Sequence, residues 1–190
     1  SGSAALKAGS KAMEFYDGSF NISQHLYGLP KGEYRLSVQA FYRMCDNESA
    51  LPMHLGQWAD WGMTEQLTAK LYAGDNVQAL VSVYSFEFPK NVSGCWDSAE
   101  RNWWGQQITT AHHYYPNNMY SGSQAFKEGA YWNVLEFGHE GDLTIGIVND
   151  EDEDSWWGGN WCMFDNFKLE FKGTVVRATS LQATLADREI

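Results

Sequence analysis

From Trp161 to Phe171 every second residue is apolar but one: Trp161, Met163, Asp165, Phe167, Leu169 and Phe171. A period of two marks a half-buried strand, so the segment is expected on a sheet with these side chains turned to the core. The exception is a carboxylate. An inward Asp without partners costs several kcal/mol or is driven neutral, so Asp165 needs backbone donors, a cation or a polar ligand beside it.

The same alternation recurs upstream. Phe20, Ile22, Gln24 and Leu26 alternate with Asn21, Ser23 and His25, and Tyr34, Leu36, Val38, Ala40 and Tyr42 alternate with Arg35, Ser37, Gln39, Phe41 and Arg43. Between them stands Gly28-Leu29-Pro30-Lys31-Gly32, where Pro fixes φ and Gly admits positive φ, which predicts a hairpin. Ala73-Gly74-Asp75-Asn76 predicts a second hairpin, between Ala69–Tyr72 and Val77–Tyr84. His139-Glu140-Gly141-Asp142 predicts a third, between Tyr131–Phe137 and Leu143–Val148. One short helix is expected over 118–127, with Asn117 or Asn118 as its N-cap. Many strands joined by polar turns predict an all-β chain, an antiparallel β-sandwich. Its expected core includes Phe20, Ile22, Leu36, Val38, Leu135, Ile145, Ile147, Phe167 and Leu169.

A chain of 190 residues can bury roughly 70% of its unfolded surface. The sandwich is read as residues 14–173. Residues 1–13 form an N-terminal segment whose Ser1-Gly2-Ser3 reads as artificial, so a removed secretion signal is compatible with it. Residues 174–190, with Leu181, Leu185 and Ala186 at helical spacing, read as a linker and helix start toward a following domain. The net charge of −11 argues against nucleic acid and against an anionic membrane surface. No apolar run reaches the roughly 18 residues of a spanning helix, so membrane insertion is not expected. Cys45, Cys95 and Cys162 lack zinc spacing. Either Cys45 pairs with Cys95 in an oxidising compartment or all three stay free.

Three long segments interrupt the strands: 45–66 with Trp58 and Trp61, 88–127 with Trp96, Trp103 and Trp104, and 149–160 with Trp156 and Trp157. Long loops in a compact β domain are functional or disordered, and this density of rings argues against disorder. Sugar rings stack their C–H faces on flat aromatic rings while their hydroxyls seek polar side chains. Trp103 and Trp104 with Asn102 and Gln106, and Trp156 and Trp157 with Asp154 and Asn160, offer both elements. Trp104 and Trp157 are the preferred stackers, since the glycine after each leaves the ring uncrowded. The plainer reading is that these rings pin the loops onto the sandwich.

The run Asp150-Glu151-Asp152-Glu153-Asp154 is either a solvated loop or an oxygen-ligand site for Ca²⁺, though it lacks EF-hand spacing. Catalysis has the least support. Nothing fixes a carboxylate pair among Glu87, Asp97 and Glu100, and the neighbouring His112 and His113 would face opposite sides of a strand. No enzyme activity is expected.

Several short motifs occur in order: Glu14-Phe15-Tyr16-Asp17-Gly18-Ser19-Phe20, Gly28-Leu29-Pro30-Lys31-Gly32-Glu33-Tyr34-Arg35-Leu36, Ala40-Phe41-Tyr42-Arg43 and Leu71-Tyr72-Ala73. Tyr115-Pro116-Asn117-Asn118-Met119, Ala125-Phe126, Gly129-Ala130-Tyr131, Leu143-Thr144-Ile145-Gly146-Ile147 and Phe164-Asp165-Asn166-Phe167-Lys168-Leu169 follow. Together they resemble the galactose-binding-like β-sandwich modules of large secreted or surface proteins of Gram-negative gut anaerobes, which are similar to carbohydrate-binding modules of the jelly-roll type. The resemblance covers about residues 14–173. It implies a jelly-roll fold, a secreted, periplasmic or cell-surface location, neighbouring domains in one parent chain, and a glycan as partner; the net negative charge favours a neutral one. A structural or protein-interaction module of a larger surface protein is the alternative. No cofactor is required. The structural Ca²⁺ often held near the terminal strands of such modules gives Asp165 and Glu14 a claim as metal ligands.

Overall fold

The computed structural model describes residues 12–101, 107–150 and 158–174, with 100, 101 and 107–110 described by backbone alone. The strands are β1 (Met13–Tyr16), β2 (Phe20–Arg43), β3 (Lys70–Ala73), β4 (Asn76–Ala79), β5 (Val81–Ser82), β6 (Cys95–Arg101), β7 (Gln107–Pro116), β8 (Trp132–Asn149) and β9 (Trp161–Gly173). Two α-helices, α1 (Asn47–His54) and α2 (Met119–Lys127), are inserted between them. Seven strands share one sheet in the order β1-β9-β2-β8-β3-β4, with β5 beside the end of β2, while β6 and β7 form a separate two-stranded ribbon. All pairs are antiparallel except β2–β5. The all-β expectation holds.

Two of the predicted hairpins do not form. β2 pairs with β8 from Phe20↔Asn149 to Gln39↔Trp132, so both presumed turns continue as strand and face each other, Leu29 opposite Gly141 and Gly32 opposite His139. The register shifts between Leu26 and Leu29 and again between Leu29 and Gly32, each shift leaving an extra residue in β2. Gly28 at φ 60° and Gly141 at φ 94° serve these bulges, bending the ribbon where a turn would reverse it. Pro30, which has no N–H to give a ladder, is tolerated at such a site. The β3–β4 hairpin is as expected, with Ala73 paired to Asn76 across Gly74.

A further bulge lies in β9. Gln39 pairs with Asp165 but Ser37 pairs with Lys168, and Asn166 takes φ 57°. One extra residue inverts the side-chain parity. Met163 therefore lies beside Phe41 on one face, whereas Leu169 lies beside Leu36 on the other. The alternating set of residues 161–171 is thus not a single inward face. Asp165 is half-buried at the bulge, where its carboxylate accepts from the Asn166 N–H at 2.7 Å and Asn166 donates to Gln39 Oε1 at 2.6 Å.

The core lies on the face of β2 carrying Leu36, Val38, Ala40 and Tyr42, together with Leu71, Ala73, Ile145 and Ile147. Phe20, Leu135 and Leu169 are half-buried against it. Two expected core residues are not in it. Phe167, beyond the bulge, is 38% exposed and touches Phe164 edge-on at 5.9 Å. Ile22 is exposed because residues 20–26 pair only with β8 and have no strand on their other side among the described residues. Toward Arg43 the opposite face is covered as well: Phe41 packs on Phe126 at 5.8 Å and Tyr131 at 4.7 Å. Cys45, Cys95 and Cys162 are free thiols, and burial raises the pKa of both Cys95 and Cys162.

Helix α2 is capped by Asn118, whose side chain accepts from the Ser121 N–H while Ser121 reaches back to the Asn118 N–H. Helix α1 is additional to the single helix expected. Asp46 caps it by accepting from the Ser49 N–H at 3.0 Å, but Pro52 inside it obscures the helical signal. Burial sets opposite expectations for two phenylalanines. Phe41→Ala should cost about 3–5 kcal/mol and Phe167→Ala about 1–2 kcal/mol, read as midpoint shifts in urea unfolding.

Candidate functional site

The last residue of β2 is an arginine with no acidic partner among the described residues. Arg43 is 5% exposed, and none of the ion pairs among the described residues involves it. Its Nη1 donates to Asn117 Oδ1 at 2.7 Å and its Nη2 to the Gly159 carbonyl at 3.3 Å, while Nε has no partner. The guanidinium lies 5.5 Å from the centre of the Trp161 ring, whose π face offsets part of the desolvation. Asn117 Oδ1 also accepts from Asn47 Nδ2 at 2.7 Å, and Asn47 Oδ1 accepts from the Tyr84 hydroxyl at 2.9 Å. Asn47, Asn117 and Gly159 belong to the first, second and third long segments respectively. Asn117 and Gly159 are therefore fastened to one buried charge, and Asn47 is joined to it through Asn117.

The base of the third segment is pinned a second time, to the bend Asp17-Gly18. Gly159 N–H donates to Asp17 Oδ1 at 2.9 Å and Gly18 N–H to Asn160 Oδ1 at 3.1 Å. Asn149 Nδ2 donates to the Gly18 carbonyl at 3.2 Å, closing the other end. Asn160 is thus buried, with its side-chain oxygen committed to backbone. Of the other expected ligand-binding residues, Asn102, Trp103, Trp104 and Gln106 join β6 to β7 outside the described residues. Asp154, Trp156 and Trp157, with residues 151–153 of the acidic run, also lie outside them. The ends that carry them are in place, with Arg101 paired to Gln107 and Gly159 fixed as above.

Of the two expected metal ligands, Glu14 Oε2 accepts from Trp161 Nε1 at 3.2 Å, and Asp165 Oδ1 accepts from the Asn166 N–H at its own bulge. His112 and His113 do face opposite sides of the ribbon. Each holds a different carboxylate, Asp97 Oδ1 at 2.7 Å and Glu87 Oε1 at 3.0 Å.

Sequence reasoning missed Arg43, Asn47, Tyr84 and Asn117. Arg43 falls on the side of β2 read as solvent-facing; the apolar Phe41 between Gln39 and Arg43 was the available sign that this side is covered. Comparison with protein-family models, with curated proteins and with solved structures finds no match.

Removing Asn117 would strand both the guanidinium and the Asn47 amide. Asn117→Ala should cost about 2–4 kcal/mol in chemical unfolding, more than a lone buried hydrogen bond is worth. Burial pushes the Tyr84 phenol well above its ordinary range, with Arg43 opposing and Glu65 adding, and burial does the same to Tyr131. Both phenols ionise more easily in the unfolded chain. Their contribution to stability is full below about pH 10 and falls as the pH rises above it. Their phenolate absorbance should accordingly appear only with loss of the near-ultraviolet circular dichroism of the fold.

Proposed function

We propose that this chain is a non-catalytic carbohydrate-binding module of the jelly-roll, galactose-binding-like type, acting as part of a larger secreted or surface protein. The observation that carries the reading is the network at one end of the sheet in which Arg43 donates to Asn117 and to Gly159 while Asn47 donates to Asn117, so that residues of three tryptophan-bearing segments bond one another. Glycan contacts are assigned to Trp103, Trp104, Trp156 and Trp157, with Asn102, Gln106 and Asp154 meeting hydroxyls. Asn160, whose Oδ1 accepts from the Gly18 N–H, is assigned to holding the third segment in place. Net negative charge favours neutral glycans over acidic polysaccharides. Stacking of this kind needs no cofactor.

A structural or protein-interaction module is the second reading. It is favoured by how many polar groups at this end, Asn47, Asn117, Tyr84 and Asn160 among them, are already satisfied within the protein.

Titration calorimetry against neutral glycans decides between them. A dissociation constant on the order of micromolar to millimolar is expected, with marked weakening in Trp104→Ala and Trp157→Ala. Absence of heat with every neutral glycan, alongside retained folding, would leave the structural reading standing.

A further inference from the structure

Between residues 20 and 32 strand β2 is paired on one side only. β8 lies along it there, while β9, on its other side, stops at Glu33↔Gly173. No further strand joins that side among the described residues. Asn21, Ile22, Ser23, Gln24 and His25 are exposed in succession, and Tyr27 is exposed as well. Exposure on both faces of a strand at once marks an open edge, because a covered strand hides at least alternate residues. The backbone N–H and C=O groups that point away from β8 are then a template for another strand.

The core side of this edge is open too. Ile22 pairs with Ile147, Gln24 with Ile145 and Leu26 with Leu143, and all three partners are buried. Ile22, Gln24 and Leu26 thus share the row that faces the core, as does Phe20, whose ring stacks on Phe15 at 4.1 Å. Yet Ile22 is 36% exposed, and Gln24 is exposed beside it. A strand laid along β2 would cover both.

Sheet edges in soluble proteins are kept from pairing by charge, proline, bulges or shortness. The other open edges follow that rule. β1 and β4 have four residues each, and the length of β9 beyond its pairing with β1 carries Asp165, Lys168, Glu170 and Lys172. Residues 20–27 of β2 include no Lys, Arg, Asp, Glu or Pro, and the first register shift comes only after Leu26. A chain of net charge −11 repels its own copies, so an uncharged edge is where two of them can meet. Antiparallel pairing about Gln24 keeps the core-side residues of both copies on one face. Ile22 then stands opposite the partner's Leu26, Ser23 opposite the partner's His25 and Asn21 opposite the partner's Tyr27, with no like charges together.

We propose that residues 20–27 of β2 form an interface between two copies of this chain, joined as one continuous antiparallel sheet across a two-fold axis at Gln24. The proposal does not depend on the carbohydrate reading.

The test is sedimentation of the full chain from micromolar to millimolar concentration. The samples are wild type, Gln24→Lys, Gln24→Glu, an equal mixture of those two, and Val77→Lys. Gln24 is exposed, and either variant opposes like charges only when two copies pair, so the thermal midpoints of dilute samples should match wild type. Support is a wild-type dimer whose dissociation constant rises roughly tenfold or more in each Gln24 variant and is restored in the mixture. Val77→Lys, on the exposed edge β4, should leave it unchanged. Hydrogen exchange gives a second reading on wild type: amides within 21–27 should slow as concentration rises. A wild-type chain that stays monomeric at millimolar concentration overturns the proposal. So does a dimer that both Gln24 variants leave unchanged, or one that Val77→Lys alone dissolves. A mixture that fails to restore the dimer overturns pairing about Gln24. Amides within 21–27 that exchange alike at every concentration overturn the interface as well, whether the edge stays bare or is closed by the chain itself.

Discussion

A buried guanidinium that bonds an amide and a carbonyl, and no carboxylate among the described residues, is the constraint around which this end of the molecule is built. Burying Arg43 unpaired would cost several kcal/mol, so its surroundings must supply donors' partners and a polarisable face. Asn117 and the Gly159 carbonyl supply the first, and the Trp161 ring supplies the second. Asn117 follows β7, whereas Gly159 and Trp161 stand at the start of β9, so solvation of one side chain ties the ends of two long segments together. Neutral partners also have a consequence that a salt bridge would not: Asn117 can serve Arg43 and Asn47 at once, which couples the loops into one network.

The bulges determine what lies next to that network. Had β2 turned back at Gly28–Gly32, Arg43 would have ended a short hairpin. Instead β2 runs on for 24 residues, bending at the two register shifts with β8. Its first half stays with β8 alone, while its second half also takes β9. The third bulge, at Asp165–Asn166, switches which side of β9 faces Phe41. It puts Met163 against Gly122 of α2, where a Cβ would come within 2.3 Å of the Met163 sulfur. Helix α2 is thus held close to β9, and Asn117, two residues before its start, is delivered to Arg43.

What was legible in the sequence was local. The Asn118 cap and helix α2, the β3–β4 hairpin, and most of the alternating core from Leu36 to Tyr42 depend on near neighbours, and period and cap chemistry report them well. What was not legible depended on one residue more or less. Gly28 and Gly141 have the chemistry of turns and the role of bulges, and sequence cannot separate the two because the same positive φ serves both. The exposure of Phe167 and Ile22 follows from the inverted parity and the missing neighbour strand. Neither can be seen by counting apolar residues. The site divided likewise. Trp-rich loops stood out by composition, whereas Arg43, which bonds Asn117 and Gly159, looked like any outward residue of a half-buried strand.

The division of labour at this end follows from the same accounting of partners. Asn47, Asn117 and Asn160, the Tyr84 hydroxyl and the Glu65 carboxylate all hold protein groups, so they give shape to the base and have little left for a ligand. Under the proposed carbohydrate-binding function, recognition then falls to other side chains of the long segments. Those loops are rich in indole rings, which give contact area at low entropic cost, and in acids and amides, which accept from hydroxyls. The bonded network at this end holds the fold, so a substitution at Asn117 should alter stability before it alters anything else.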